Sequence, residues 1–199
     1  MTRKLVVFCA AALLTLVAGT AMAADSIQGR LGVTGKIGFI VPADSEFVGT
    51  GIVISSNSDV GFIGGGGLIY GITDNIAGEF DITHASFGSG GGADFDTTDI
   101  SLGVQYRFLN LPVKRLVPYA GGGLDILING ANNGLDVDST VGVHLKAGAD
   151  YFLQRQIALT SEIKGIIAPD TDIKFAGVKV GNFDPSSFSM TFGVRYFFN

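Results

Sequence analysis

The segment at residues 188–199 alternates between two kinds of side chain. One parity is wholly apolar and consists of Phe188, Met190, Phe192, Val194, Tyr196 and Phe198. The other parity is small or charged for most of its length and includes Ser189, Thr191, Gly193 and Arg195. Because successive side chains of a strand point to opposite faces, this pattern predicts a strand with one apolar face. A closing strand of an outer-membrane barrel has this form, since one face meets lipid and the other meets the lumen.

The start of the chain has the form of a secretory signal peptide, which we place at residues 1–23. A basic pair at residues 3–4 precedes an apolar core at 5–17, and A-M-A at 21–23 is a small-residue cleavage motif. The apolar core is shorter than the roughly 20 residues that a membrane-spanning helix needs. We therefore expect export and cleavage, which leave residues 24–199 as one mature barrel domain.

Composition excludes several classes of protein. The only cysteine, Cys9, lies in the predicted signal peptide, so the mature chain has no disulfide and no cysteine-ligated metal site. The formal net charge of −5 becomes −7 without the two basic residues of the signal, and an acidic chain without basic clusters is a poor nucleic-acid binder. Mean hydropathy is nevertheless +0.42, although no segment after the signal is apolar for 18 residues. A closed barrel explains how so apolar a chain can lie in a membrane without a membrane-spanning helix, because its strands satisfy each other's backbone hydrogen bonds.

Seven further segments show the same alternation. The eight predicted strands span residues 31–42, 60–72, 76–83, 99–108, 117–128, 141–151, 157–164 and 188–199. Their connections alternate between long and short, which puts all the long loops at one rim, as in bacterial outer-membrane barrels. The sequence therefore predicts an all-β fold, namely an eight-stranded antiparallel transmembrane β-barrel of outer-membrane type.

Four motifs carry a resemblance to a known family. They are G-I-T-D-N-I-A-G-E-F at 71–80, V-P-Y-A-G-G-G-L at 117–124, G-A-D-Y-F-L at 148–153, and F-D-P followed by G-V-R-Y-F-F within 183–198. With them the chain resembles the OmpW family, within the OmpA-like group of eight-stranded barrels. The resemblance implies location in the bacterial outer membrane, a narrow lumen with an apolar upper part, and passage of small hydrophobic molecules.

The same resemblance implies a partner for the closing segment. The stretch from Phe188 to Phe198 is similar to the signal that the barrel-assembly machinery recognises, which commonly ends in phenylalanine. Asn199 follows Phe198 and departs from that pattern.

Charged residues recur on the inward parity of the predicted strands. We expect them in the middle and lower barrel, and they are Lys36, Glu79, Asp81, Arg107, Lys146, Asp150, Glu162, Lys164 and Arg195. An eight-stranded barrel has little more room than its own side chains need, and an unpaired buried charge is costly. The charges are therefore expected to pair and to close the lumen as a charge plug.

Apolar residues take the inward positions nearest the rim with the long loops. They are Ile40, Ile63, Phe87, Leu127 and Ile166. One interpretation is that these strand ends are misregistered and the residues face lipid or a loop, since a shift of one residue inverts the faces. The other is an apolar chamber for a small apolar solute, which enters from outside and leaves sideways into the membrane above the plug.

Two residue pairs are of types that catalytic sites use. Glu79 and Asp81 share a face, but lumen salt bridges explain them better than acid–base catalysis. His84 and Ser86 share the lipid-facing parity, which is loosely similar to the H-x-S of outer-membrane lipid A deacylases, but no acid is obvious beside them. His84 and His144 are on opposite faces and form no metal pair. We expect no catalysis, no cofactor and no metal.

The resulting functional hypothesis is that the barrel binds small hydrophobic molecules and passes them through its apolar upper lumen. The alternative is a closed structural or interaction barrel, serving adhesion or envelope integrity through its external loops. A continuous apolar lining of the upper interior favours the first function, and charges up to the rim favour the second.

Overall fold

The computed structural model describes residues 26–43, 45–49, 52–56, 60–88, 94–110, 112–113, 115–131, 135–175 and 178–198. The predicted signal peptide at 1–23 lies outside these residues. The strands are β1 (Leu31–Pro42), β2 (Ser45–Gly49), β3 (Ile52–Ser56), β4 (Gly61–Gly71), β5 (Ile76–Gly88), β6 (Asp94–Arg107), β7 (Leu116–Ala131), β8 (Leu135–Val137), β9 (Thr140–Phe152), β10 (Ile157–Ile167), β11 (Thr171–Phe175), β12 (Val178–Phe183) and β13 (Ser187–Phe197). Nowhere in these ranges is there a helix with the length and apolar character to cross a membrane.

Eight of the strands close into a barrel in the order β1-β13-β10-β9-β7-β6-β5-β4, and every neighbouring pair is antiparallel. The predicted eight-stranded antiparallel barrel is therefore confirmed. Following paired residues once round the barrel from Leu31 ends at Val41, a stagger of ten residues along β1. Strand number and stagger together fix the tilt and the diameter of a barrel, and eight strands leave an interior that side chains fill.

The outward faces of the barrel carry the apolar parity predicted from the sequence. In β1 the exposed and buried positions alternate without interruption, with Ile37 and Phe39 outward and Thr34 and Lys36 inward. In β13 all five apolar side chains of the alternating parity are exposed, and so is Phe198 directly after the strand. An outward apolar band around a closed barrel suits contact with lipid.

Three of the connections predicted as long loops contain further strands, which the alternation did not predict. The connections supply β2 and β3, then β8, and finally β11 and β12, which form a second, five-stranded sheet in the order β3-β2-β12-β11-β8. Backbone N–H and C=O groups need hydrogen-bond partners. In this sheet the backbone groups of one connection bond to those of another. The strands of this sheet have only three to six residues each, too few alternations to mark them as strands in the sequence.

A layer of buried apolar side chains, the apolar floor, lies inside the barrel at the end of the short turns. It consists of Ile27, Ile69, Ala77, Val117, Phe152, Ala158 and Phe197. The rings of Phe152 and Phe197 stack with centroids 5.8 Å apart. Gly29 has φ 73°, a left-handed conformation that suits glycine, where the chain turns between Ile27 and β1. The expectation that charges extend through the lower barrel therefore needs correction, because the lowest layer is apolar.

Candidate functional site

A network of buried ion pairs lies directly above the apolar floor. Arg107 Nη1 lies 2.8 Å from Asp150 Oδ2, and Arg195 Nη1 lies 3.1 Å from the same oxygen. Arg195 Nη2 also donates to Glu79 Oε1 at 2.5 Å, while Glu79 Oε2 accepts from Lys146. Each of these buried charges thus has an opposite charge beside it, which a low-dielectric interior requires.

The network continues towards the long connections through Glu162. Glu162 Oε2 lies 3.3 Å from Lys146 Nζ and accepts a hydrogen bond of 3.1 Å from Tyr119 Oη. Its other oxygen lies 3.3 Å from Lys36 Nζ, which is also 3.0 Å from Asp81 Oδ2. Eight of the nine charged residues predicted to form the plug therefore belong to one connected set.

Lys164, the ninth predicted residue, belongs to a second group higher in the lumen. Its Nζ lies 2.7 Å from both Asp99 Oδ2 and Asp125 Oδ1. His144 Nδ1 lies 2.8 Å from Asp125 Oδ2. That these two groups close the barrel to solutes remains a prediction.

The list of plug residues omitted several members of the network. Tyr119 is one, and Gln105 is another, because its amide can donate to Glu79 at 3.2 Å and accept from Arg107 Nη1 at 3.1 Å. Asp125 of the Lys164 group was not predicted either, although its sequence neighbours Leu124 and Ile126 both point outward. That parity alone puts Asp125 in the lumen, but the glycines of β7 weakened the pattern.

Above the Lys164 group the lumen opens into a cleft beneath the long connections. Its cavity volume is about 30 Å³. Its walls include four of the five residues predicted to form the chamber, Ile40, Ile63, Leu127 and Ile166. All four side chains are buried, so they do not face lipid. That they form a chamber for a solute stays a prediction. The fifth, Phe87, lies in β5 with its backbone paired to Phe95, and its side chain is outside the described part.

The base of the cleft is polar. Lys164, Asp99, Lys36 and Glu162 reach it from the two ion-pair groups, and further polar side chains complete it, namely Thr83, Thr97, Ser187, Ser189 and Thr191. The cleft therefore combines apolar upper walls with a hydrogen-bonding base. Ligand sites commonly have this combination, in which apolar walls bind and a few polar groups orient the ligand.

No family model matches the sequence, and no curated protein matches it. Solved structures do match. OprG from Pseudomonas aeruginosa gives a TM-score of 0.71 at 15% identity, over 89% of this chain and 100% of OprG. AlkL in lipid bilayers gives 0.61 at 22% identity, over 91% and 95%. Neisserial surface protein A gives 0.57 at 15% identity, over 84% and 97%.

This chain has an outer-membrane barrel fold. At these identities the likeness is one of fold, and the structural neighbours are consistent with the resemblance to the OmpW family in the sequence.

The other residues considered for chemistry lie elsewhere on the barrel. Glu79 and Asp81 bind different cations and do not pair with each other. On the lipid face, Ser86 Oγ lies 3.5 Å from His84 Nε2, and His84 Nδ1 lies 3.0 Å from Thr98 Oγ1. A catalytic triad has a carboxylate in the position that Thr98 takes here. Among the described residues, no group of three or more His, Cys, Asp or Glu could hold a metal ion.

Proposed function

We propose that this chain is a bacterial outer-membrane protein that binds small apolar molecules in its upper cleft and passes them into the membrane. The observation that carries the proposal is the position of the cleft, whose apolar walls lie directly above the buried ion pairs. The outer-membrane location is supported by the solved neighbours, two of which are outer-membrane proteins, and by the predicted signal peptide.

The interior below the cleft explains why the proposed exit is sideways. A solute that continued along the barrel axis would have to separate buried ion pairs such as Lys36–Glu162 and Arg195–Glu79. Leaving buried charges without partners costs several kcal/mol, about 3–5 for one pair. The stacked rings of Phe152 and Phe197 then close the far end. An apolar solute instead gains by moving through the barrel wall into lipid.

The proposal is tested by uptake into vesicles with the purified barrel and lipopolysaccharide in the outer leaflet. A small apolar tracer and a sugar of similar size are compared, and only the tracer is expected to enter faster than into protein-free vesicles. Ile63→Asp places a charge on the cleft wall and is expected to abolish the protein-dependent uptake. Ile63→Phe narrows the cleft without a charge and is expected to slow it.

The matched control is Phe62→Leu, since Phe62 is the neighbouring residue on the lipid face and lines no part of the cleft. Folding of each variant is checked by its migration on a gel before and after heating. Tracer uptake that is unchanged in a folded Ile63→Asp barrel would contradict the proposal.

The membrane and the assembly machinery are the other proposed partners. Outer-membrane lipid would contact the outward apolar side chains, and the barrel-assembly machinery would recognise the segment from Phe188 to Phe198. The exposed aromatic residues on the outward face of β13 support both roles.

A second candidate function is a closed interaction barrel, and the five-stranded sheet favours it. That sheet orders the long connections, and connections held on a rigid scaffold commonly carry recognition. Deleting the hairpin of β2 and β3 separates the two functions. Under the transport proposal the cleft walls remain and uptake of the apolar tracer persists, whereas an interaction barrel loses binding to its partner.

A further inference from the structure

Three hydroxyl groups at the base of the cleft have no hydrogen-bond partner among the described residues. They belong to Thr83, Ser189 and Thr191, which are buried and line the cleft. Thr191 lies opposite Gly38 in β1, and Thr83 lies opposite Gly65 in β4. All three side chains line the cleft itself. The hydroxyls are therefore available to a molecule in the cleft.

The charged groups at the same level are already paired. Lys36 binds Asp81 and Glu162, with N–O distances of 3.0 and 3.3 Å. Lys164 binds two carboxylates at 2.7 Å each. An ionised ligand would have to lose its hydration and compete with these pairs, both of which are unfavourable in a buried site.

A pure hydrocarbon fits this base poorly for a different reason. It would cover the hydroxyls of Thr83 and Thr191, exclude water from them and offer no hydrogen bond in return. A polar group buried without a partner carries a desolvation penalty. A ligand with its own hydroxyl group avoids that penalty, because a hydroxyl both donates and accepts.

We propose that the cleft selects small neutral molecules that combine an apolar body with one hydroxyl group, such as short-chain alcohols. The apolar body lies against walls that include Ile63 and Leu127, and the hydroxyl bonds to the threonine hydroxyls at the base. The inference rests on the proposed function and adds the class of ligand. The corresponding hydrocarbon and the corresponding carboxylate both bind more weakly.

The test is photo-crosslinking of the full mature barrel in lipid vesicles. Three aliphatic diazirine probes of equal chain length are used, ending in a hydroxyl, a carboxylate or a methyl group. Residue-level mass spectrometry compares labelling of Ile40 and Ile63 in the cleft with labelling of Phe39 and Phe62 on the lipid face. This ratio cancels the different partitioning of the probes into the bilayer. The hydroxyl probe is expected to give a ratio about five-fold above either other probe, the effect of one net hydrogen bond.

The test variant is the double substitution Thr83→Val and Thr191→Val, which removes two hydroxyls and keeps the branched shape of each side chain. It is expected to bring the ratio for the hydroxyl probe down to that of the methyl probe and to leave the methyl probe unchanged. Thr98→Val is the matched control, because Thr98 is on the outward face of β6 and is expected to alter neither ratio. The single substitution Ser189→Ala, with a smaller expected loss, provides a second variant if the double one does not fold.

The outcomes separate the two proposals. Equal ratios for the hydroxyl and methyl probes, a higher ratio for the carboxylate probe, or a preference that persists in the valine variant would each overturn the choice of ligand class while leaving an apolar binding cleft. If no probe labels the cleft residues more strongly than it labels the lipid-facing residues, both the ligand class and the proposed function are wrong.

Discussion

Arg107 Nη1 lies 2.8 Å from Asp150 Oδ2, at a point in the lumen where Asp150 has 0% of its surface exposed. The same carboxylate also accepts from Arg195, 3.1 Å away. Three strands, β6, β9 and β13, are therefore joined across the interior by one acidic side chain. The guanidinium of Arg107 lies near the ring of Phe152, with 5.9 Å between its Cζ and the ring centroid, so the junction rests on the apolar floor.

Asp150→Asn is expected to lower the free energy of unfolding by about 3–5 kcal/mol, because it leaves two buried arginines with less negative charge than they need. The loss is measured by urea unfolding of the barrel in lipid vesicles. Unfolding is followed by tyrosine fluorescence or by circular dichroism. The chain contains no tryptophan and five tyrosines.

The same substitution at Asp138 provides the control. Asp138 Oδ2 lies 2.6 Å from Lys174 Nζ, but the Asp138 side chain is 51% exposed. Exposed pairs contribute at most about 1 kcal/mol, so Asp138→Asn should change stability little. Similar losses in the two variants would show that burial is not what makes the Asp150 junction strong.

The barrel could be predicted from the sequence because its two faces meet different surroundings. In β13 and in residues 99–107 of β6, each apolar side chain of the alternating parity points to the outside and each charged one to the inside, so local periodicity carries the information. The same parity placed Ile63 and Ile166 in the lumen. That both residues line one cleft was predicted from their positions on the strands, near the rim with the long loops.

The partners inside the lumen could not be predicted in the same way. Lys36 and Glu162 are separated by 126 positions in sequence and lie on strands that are not neighbours in the barrel. The alternation predicts that both side chains point inward, but it does not predict which charges form ion pairs. Pairing across a lumen depends on strand stagger, which only the closed barrel fixes.

The second sheet was missed for a related reason. Phe47 of β2 pairs with Gly181 of β12, so the hydrogen bonds join connections from opposite ends of the chain. Strands of five or six residues carry few alternations, and those of β2 and β12 include glycine. The pattern of either segment alone is compatible with an irregular loop.

Gly148→Ala tests how tightly the lumen is packed. Gly148 faces inward, and a Cβ added there would lie 2.6 Å from Cζ of Tyr119. Tyr119 is buried and bonded to Glu162, so it has little freedom to move away. The substitution should destabilise the barrel by about 1–3 kcal/mol in urea unfolding, the usual effect of overpacking. Gly35→Ala is the control, since a Cβ at Gly35 meets no atom within 4 Å, and a comparable loss there would point to a cause other than packing.

Leu145 and Val60 together test how the barrel lies in the membrane. Both side chains face outward, with 76% and 65% of their surfaces exposed, but Leu145 is near the middle of β9 and Val60 precedes β4 at the rim of the long connections. Arginine on the lipid face costs about 2–4 kcal/mol at the bilayer midplane and about 0–1 near the interface. In urea unfolding from lipid vesicles, Leu145→Arg should therefore lose much more stability than Val60→Arg. Small losses in both would mean that the middle of the outward band is not in contact with hydrocarbon. A larger loss at Val60 would place the centre of the bilayer nearer the rim of the long connections.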